Sequence, residues 1–173
     1  MLNSKMTRMS LLACLIGFTS TAAVAAVTDV VSQKDTIEFG APTDRIIFKI
    51  DGFKAMPAGQ LATNTQLGEW SVKTAGDDEL RLAVSFGTNH VPVAGVGPDV
   101  VSANLVSDTG NTLDVSLKES GDTTTETANE QGAKWIVSAA ETKEMKGVIR
   151  SYKDQTVKAD SYPFVMNAAV YNI

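Results

Sequence analysis

Residues 27–40 read Val-Thr-Asp-Val-Val-Ser-Gln-Lys-Asp-Thr-Ile-Glu-Phe-Gly. One alternate set holds Val31, Gln33, Asp35, Ile37 and Phe39, and the other holds Val30, Ser32, Lys34, Thr36 and Glu38. A period of two is the spacing of a β-strand, whose successive side chains point to opposite faces. The first set ends on two large apolar side chains, Ile37 and Phe39. A second strand pattern starts a few residues later, at Arg45. Two readings fit. The stretch is the first strand of its own domain, or it is donated to the sheet edge of a neighbouring copy, the rest of the chain being a sandwich with room for one more strand.

The residues before it look like a secretory leader. Lys5 and Arg8 precede an apolar run over residues 11–18, and small residues follow, ending Ala23-Val24-Ala25. That is the charged, apolar and Ala-x-Ala sequence of an export signal, with cleavage expected after Ala25. The run is too short to span a membrane. Leu11-Leu12-Ala13-Cys14 looks like a lipoprotein box, but too few apolar residues separate Arg8 from Cys14. Cys14 is the chain's one cysteine. The exported part would therefore form no disulfide, offer no thiolate to a metal and carry no thiol nucleophile. Its stability has to come from packing or assembly. The remaining residues, roughly 150, suit one domain with a sizeable core. Lys and Arg number 15 against 20 Asp and Glu, and removing Lys5 and Arg8 leaves 13 against 20, a charge of −7. An acidic surface argues against nucleic acid and anionic lipid as partners.

Short alternating runs continue to the end. Residues 45–53 put Ile46, Phe48 and Ile50 on one face, and residues 67–74 do the same with Trp70 and Val72. Leu80, Leu82, Val84 and Phe86 alternate with Glu79, Arg81, Ala83 and Ser85, the pattern of a half-buried strand. Gly and Pro in residues 87–99 indicate a long surface loop. Residues 100–106 and the run Leu113, Val115, Leu117 flank Asp108-Thr109-Gly110-Asn111, a hairpin turn. Residues 119–132 are polar and Thr-rich, which suggests a mobile loop. Trp135, Val137 and Ala139 mark another strand, residues 139–147 suit one or two helical turns, and residues 148–152 suit a short strand. Tyr162, Phe164, Met166, Ala168 and Val170 share one face of a closing strand. Many short strands with frequent turns, and no sustained helical stripe, indicate an all-β sandwich or barrel.

Catalytic signals are sparse. His90, the single histidine, sits in the Gly/Pro loop without a nucleophile motif and reads as a solvated loop residue. One histidine makes no zinc or copper site. Gly95-Val96-Gly97-Pro98 lacks the Lys-Ser/Thr of a phosphate loop. Asp77-Asp78-Glu79 lacks the spaced oxygens of a calcium loop and reads as a turn. Carboxylate pairs for glycoside cleavage stay open, although two Trp and three Tyr are few for a sugar platform.

A family resemblance rests on several stretches in order. These are Gln33-Lys34, Ile37 and Phe39, Pro42, residues 46–50 and Gly52-Phe53-Lys54-Ala55. At the other end, Ala159-Asp160-Ser161-Tyr162-Pro163 leads into an alternating strand with a late Tyr171. Together they resemble the pilins of the chaperone–usher pathway, most closely the Saf-type subunits that pair with long-loop chaperones. The middle of the chain matches by strand pattern alone. The resemblance implies an incomplete immunoglobulin-like β-sandwich, completed by a donor strand from another subunit. It divides the chain into a signal peptide (1–25), an N-terminal extension acting as donor strand (26–42) and the sandwich domain (43–173). Val31, Ile37 and Phe39 would plug a neighbour's groove. Ile46, Phe48 and Ile50 would flank that groove on one side, and Tyr162, Phe164, Met166, Ala168 and Val170 on the other.

The implied function is that of a structural subunit of a surface pilus or fimbria. A periplasmic chaperone would deliver it to an outer-membrane usher, where it would polymerise with other copies of itself. It would be exported through the periplasm to the cell surface, with no cofactor, no metal and no enzymatic activity. The alternative is an adhesin subunit that binds a host receptor through residues 87–99 or 119–132. A periplasmic β-sandwich enzyme would instead depend on His90 or a carboxylate. The chain departs from the family pattern at three points. Asp160 stands where many pilins have glycine, Tyr171 is third from last rather than penultimate, and there is no disulfide.

Overall fold

The structure, a computed structural model, describes residues 26–34, 45–52 and 56–172. In chain order its strands are β1 (Ala26–Lys34), β2 (Ile46–Gly52), β3 (Gly59–Leu61), β4 (Gln66–Thr74), β5 (Leu82–Phe86) and β6 (Ser102–Val106). They continue with β7 (Thr112–Ser120), β8 (Thr125–Glu130), β9 (Ala133–Ser138), β10 (Glu144–Ser151), β11 (Gln155–Val157) and β12 (Val165–Asn172). One sheet has the order β1-β12-β5-β9-β8 and the other β2-β4-β10-β7-β6, while β3 and β11 form a small third sheet. Every pairing is antiparallel.

Alternation explains the core. Ile46 and Phe48, Trp70 and Val72, Leu82, Val84 and Phe86, Val115 and Leu117, and Met166, Ala168 and Val170 are all buried in one hydrophobic cluster. Sheets pack face to face when each presents such an apolar side. The β6–β7 turn is the hairpin expected at residues 108–111. Gly110 takes φ 83°, its amide donates to Ser107 O at 2.9 Å, and Ser107 N donates to Asn111 O at 2.8 Å.

Several expectations need correction. Residues 119–132 are not a loop, because β7 runs to Ser120 and β8–β9 form a hairpin. Its two turn residues, Gln131 (φ 52°) and Gly132 (φ 74°), both have positive φ, as a two-residue hairpin turn requires. Glutamine in the first place hides the usual Asn-Gly signal. Residues 139–147 hold no helix, since β10 begins at Glu144 and pairs with both β4 and β7. Gly147 is needed mid-strand. It lies opposite Trp70, and a Cβ there would land in the indole ring and on Lys118 O.

β5 is buried on both faces rather than one. Ala83 packs with Trp135, Val137 and Ala169 in a second cluster. Ser85 is accommodated because its hydroxyl donates to Lys134 O at 2.6 Å. Trp135 anchors that cluster, its indole N–H donating to Glu130 O at 3.0 Å.

Candidate functional site

The candidate site is the outer edge of β12 together with the cavity at its N-terminal end. β12 is buried on both faces. Met166, Ala168 and Val170 enter the main core, and Ala169 and Tyr171 belong to the second cluster. One side of the strand pairs with β5, Met166 lying opposite Phe86 and Val170 opposite Leu82. The other side carries β1, with Val31 opposite Ala168, Gln33 opposite Met166 and Lys34 opposite Val165. The register slips between Thr28 and Val31, after which Ala26 lies opposite Asn172. β1 is the outermost strand of its sheet and β2 the outermost of the other. Without β1, the backbone donors and acceptors along β12 would be an open edge.

The residues expected to flank a groove come together. Ile46, Phe48, Met166, Ala168 and Val170 are buried in the main cluster, and Ile50, Tyr162 and Phe164 pack against it partly exposed. Tyr162 and Phe164 lie just before β12 rather than in it. Of the expected plugs, Val31 lies in β1, while Ile37 and Phe39 fall outside the described residues. The expected first strand of the donated kind thus pairs, in the single chain, with the chain's own last strand.

A cavity of about 390 Å³ opens where β2 ends and β12 begins. Leu61, Leu67, Leu113 and Ile149 line it, and residues 158–164, with Tyr162 and Phe164, form one wall. That wall is tied down through Asp160. Its Oδ2 accepts from the Thr109 hydroxyl and from Asn111 Nδ2 at 2.8 Å, and Oδ1 accepts from Ser161 N at 2.8 Å. Hydrogen bonds from Ser107, Thr109 and Asn111, and from the Ser161 amide, hold its carboxyl far below the usual carboxylate range.

The start of β12 has a second tie, which corrects the reading of His90. The residue is half-buried, and its Nε2 accepts the Val165 amide at 2.8 Å. Gly87 N donates to Val165 O at 2.8 Å, and the imidazole meets Phe86 edge-on, with centroids 6.3 Å apart. His90 therefore extends β5 by one hydrogen bond. Burial lowers its pKa below the ordinary value. Sequence patterning misses both His90 and Asp160 because their partners lie 75 and about 50 residues away.

No profile of a known protein family matches the chain, and no curated protein does. Solved structures do. The Salmonella SafD adhesin is 17% identical, with a TM-score of 0.55 over 73% of this chain and 84% of that one. The Escherichia coli Hda pilus minor tip subunit, HdaB, is 14% identical, with a TM-score of 0.59 over 75% and 85%. AggB, the minor subunit of E. coli aggregative adherence fimbriae type I, is 15% identical, with a TM-score of 0.53 over 70% and 82%. The chain has the all-β, immunoglobulin-like sandwich fold of these fimbrial subunits.

Proposed function

We propose that this protein is a structural subunit of a surface fimbria that polymerises by donor-strand exchange. Residues 1–25 are its export signal, residues 26–42 the extension it donates, and residues 43–173 the domain that accepts a neighbour's extension. A periplasmic chaperone covers the open edge until an outer-membrane usher exchanges it for the next subunit. The observation that carries this reading is the strand β1, antiparallel on the outer edge of β12. In one isolated chain the molecule's own extension takes that place, whereas in a fibre a neighbour's extension takes it. Strand addition satisfies an open backbone edge and supplies side chains to the core in one step.

The register supports the assignment of the plugs. If a donated strand kept the register of Lys34 with Val165, Ile37 would fall opposite Tyr162 and Phe39 opposite Asp160. Tyr162 and Asp160 both line the cavity. Burying each plug contributes about 1.5–3 kcal/mol.

The test is a double substitution, Ile37→Asp with Phe39→Asp, which puts unpaired charges into that cavity at a strongly unfavourable cost. Chaperone-bound subunit should still accumulate in the periplasm, and surface polymer should vanish. Polymer at the normal level would refute the donor-strand role of residues 27–40.

A further inference from the structure

We propose that Asp160 is a positioning residue for capture of the donor strand, holding one wall of the acceptor cavity in place before the donor arrives. The inference rests on the donor-strand reading and concerns how the cavity is kept ready.

Residues 158–164 join β11 to β12 and contain no strand of their own. They nevertheless form a wall of the cavity. The Tyr162 hydroxyl donates to Lys158 O within the segment, at 3.1 Å, so that bond fixes nothing outside it. Among the described residues, the hydrogen bonds that join the segment to another element converge on the Asp160 carboxylate. Their donors sit on the β6–β7 turn. The same hairpin supplies Leu105 and Leu113 to the cavity lining. One carboxylate therefore joins two walls of one cavity.

The Asp160 carboxylate is exposed, so the tie depends on several donors meeting at one group rather than on burial. Charge-assisted hydrogen bonds are stronger than neutral ones, and here several converge on one carboxylate. The turn is itself cross-linked by hydrogen bonds. Asn111 Nδ2 also donates to Thr109 Oγ1 at 2.8 Å, and Asn111 N donates to Ser107 Oγ at 3.0 Å. A wall that is already ordered lowers the entropy lost when an extended strand docks against it. Capture should therefore be faster with the tie than without it. Once a donor fills the cavity, its own apolar side chains hold the wall, and the tie matters less.

The experiment uses the full chain bound to its chaperone and a synthetic peptide of residues 27–40, with chaperone release as the readout. Uptake should be about tenfold slower in Asp160→Ala, the scale expected for losing a charge-assisted contact. Asn111→Ala should slow it comparably, and the double variant no further than either single one, since both remove the same tie. Asp160→Asn keeps an acceptor oxygen and should restore most of the rate. The melting temperature of the peptide-filled subunit should barely move. If the wild-type complex takes up no peptide, the donor-strand reading itself fails. If it takes up peptide and Asp160→Ala does so equally fast, only the role of Asp160 fails. A slower rate matched by an equally lowered melting temperature of the filled subunit would also overturn it, because the carboxylate would then serve general stability. Should Asp160→Ala not be recovered with its chaperone, Asn111→Ala and Asp160→Asn decide the matter alone.

Discussion

His90 shows what a single side chain adds here. A lone loop histidine without a partner predicts that His90→Ala is harmless. The structure gives it a partner, so that substitution leaves the Val165 amide without its acceptor, at a cost of about 1–3 kcal/mol. Accepting that bond requires the neutral ring, with the proton on Nδ1. Its folded pKa is lowered by burial, so the unfolded chain binds a proton more readily than the folded one. The stabilisation is therefore full above the ordinary histidine value, about 6.5, and is lost as pH falls through the lower folded value. Melting curves at about pH 8 and about pH 5 should separate wild type from His90→Gln, whose amide oxygen accepts at both. The wild type should lose more stability on acidification. Equal losses would mean that the imidazole does not titrate in this window. Asp160 responds to acid in the same direction, but only at lower pH. Its carboxyl lies so far below the usual range that mild acid should leave the cavity wall tied.

Among the strands, those with clean alternation were legible. β2, β4, β5 and β12 fall where residues 45–53, 67–74, 79–86 and 162–171 alternate, with shifted ends. The failures have physical causes. β8 is polar because it is the edge strand opposite β1 in the same sheet, so solvent lies along it and no apolar period marks it. β10 begins with Glu144, Met145, Lys146 and Gly147, good or neutral in a helical pattern until the glycine is explained. Its explanation is non-local, because the Trp70 ring occupies the space a side chain would need. Gly147→Ala should therefore destabilise at the upper end of the about 1–3 kcal/mol that overpacking a core costs. Urea unfolding of the peptide-filled or chaperone-free subunit measures it. A cost below half a kcal/mol, on the scale of ordinary surface substitutions, would mean that the Trp70 ring can leave its place. The two-sided burial of β5 is hidden in the sequence for a related reason. Ala83 and Ser85 look like an exposed face until β9, some fifty residues on, packs Trp135 against Ala83 and offers Lys134 O to Ser85.

At the scale of the whole molecule, the question left by residues 27–40 concerns which chain fills the edge of β12. Alternation identified a strand there, and pairing alone cannot assign its owner, because an extension from either molecule makes the same antiparallel ladder. Connectivity can. Ala26 lies opposite Asn172, so the start of β1 and the end of β12 are neighbours in the sheet. A short Gly-rich turn could join them as a hairpin. Moving residues 27–40 from the front of the chain to a position after Ile173 would then deliver the strand to the same edge in the same direction. Held by that turn, the strand acts at a high effective concentration, and no neighbour can compete for the edge. The front of the chain would have nothing left to donate. Such a protein should be a stable monomer without its chaperone and unable to enter a fibre, and its melting temperature should not depend on its concentration. Sizing and thermal melting test both properties. Polymers from the rearranged chain would mean that a segment other than residues 27–40 links the subunits. An unfolded monomer would mean that those residues do not complete the sandwich, and that the edge of β12 is filled by some other part of a neighbouring copy.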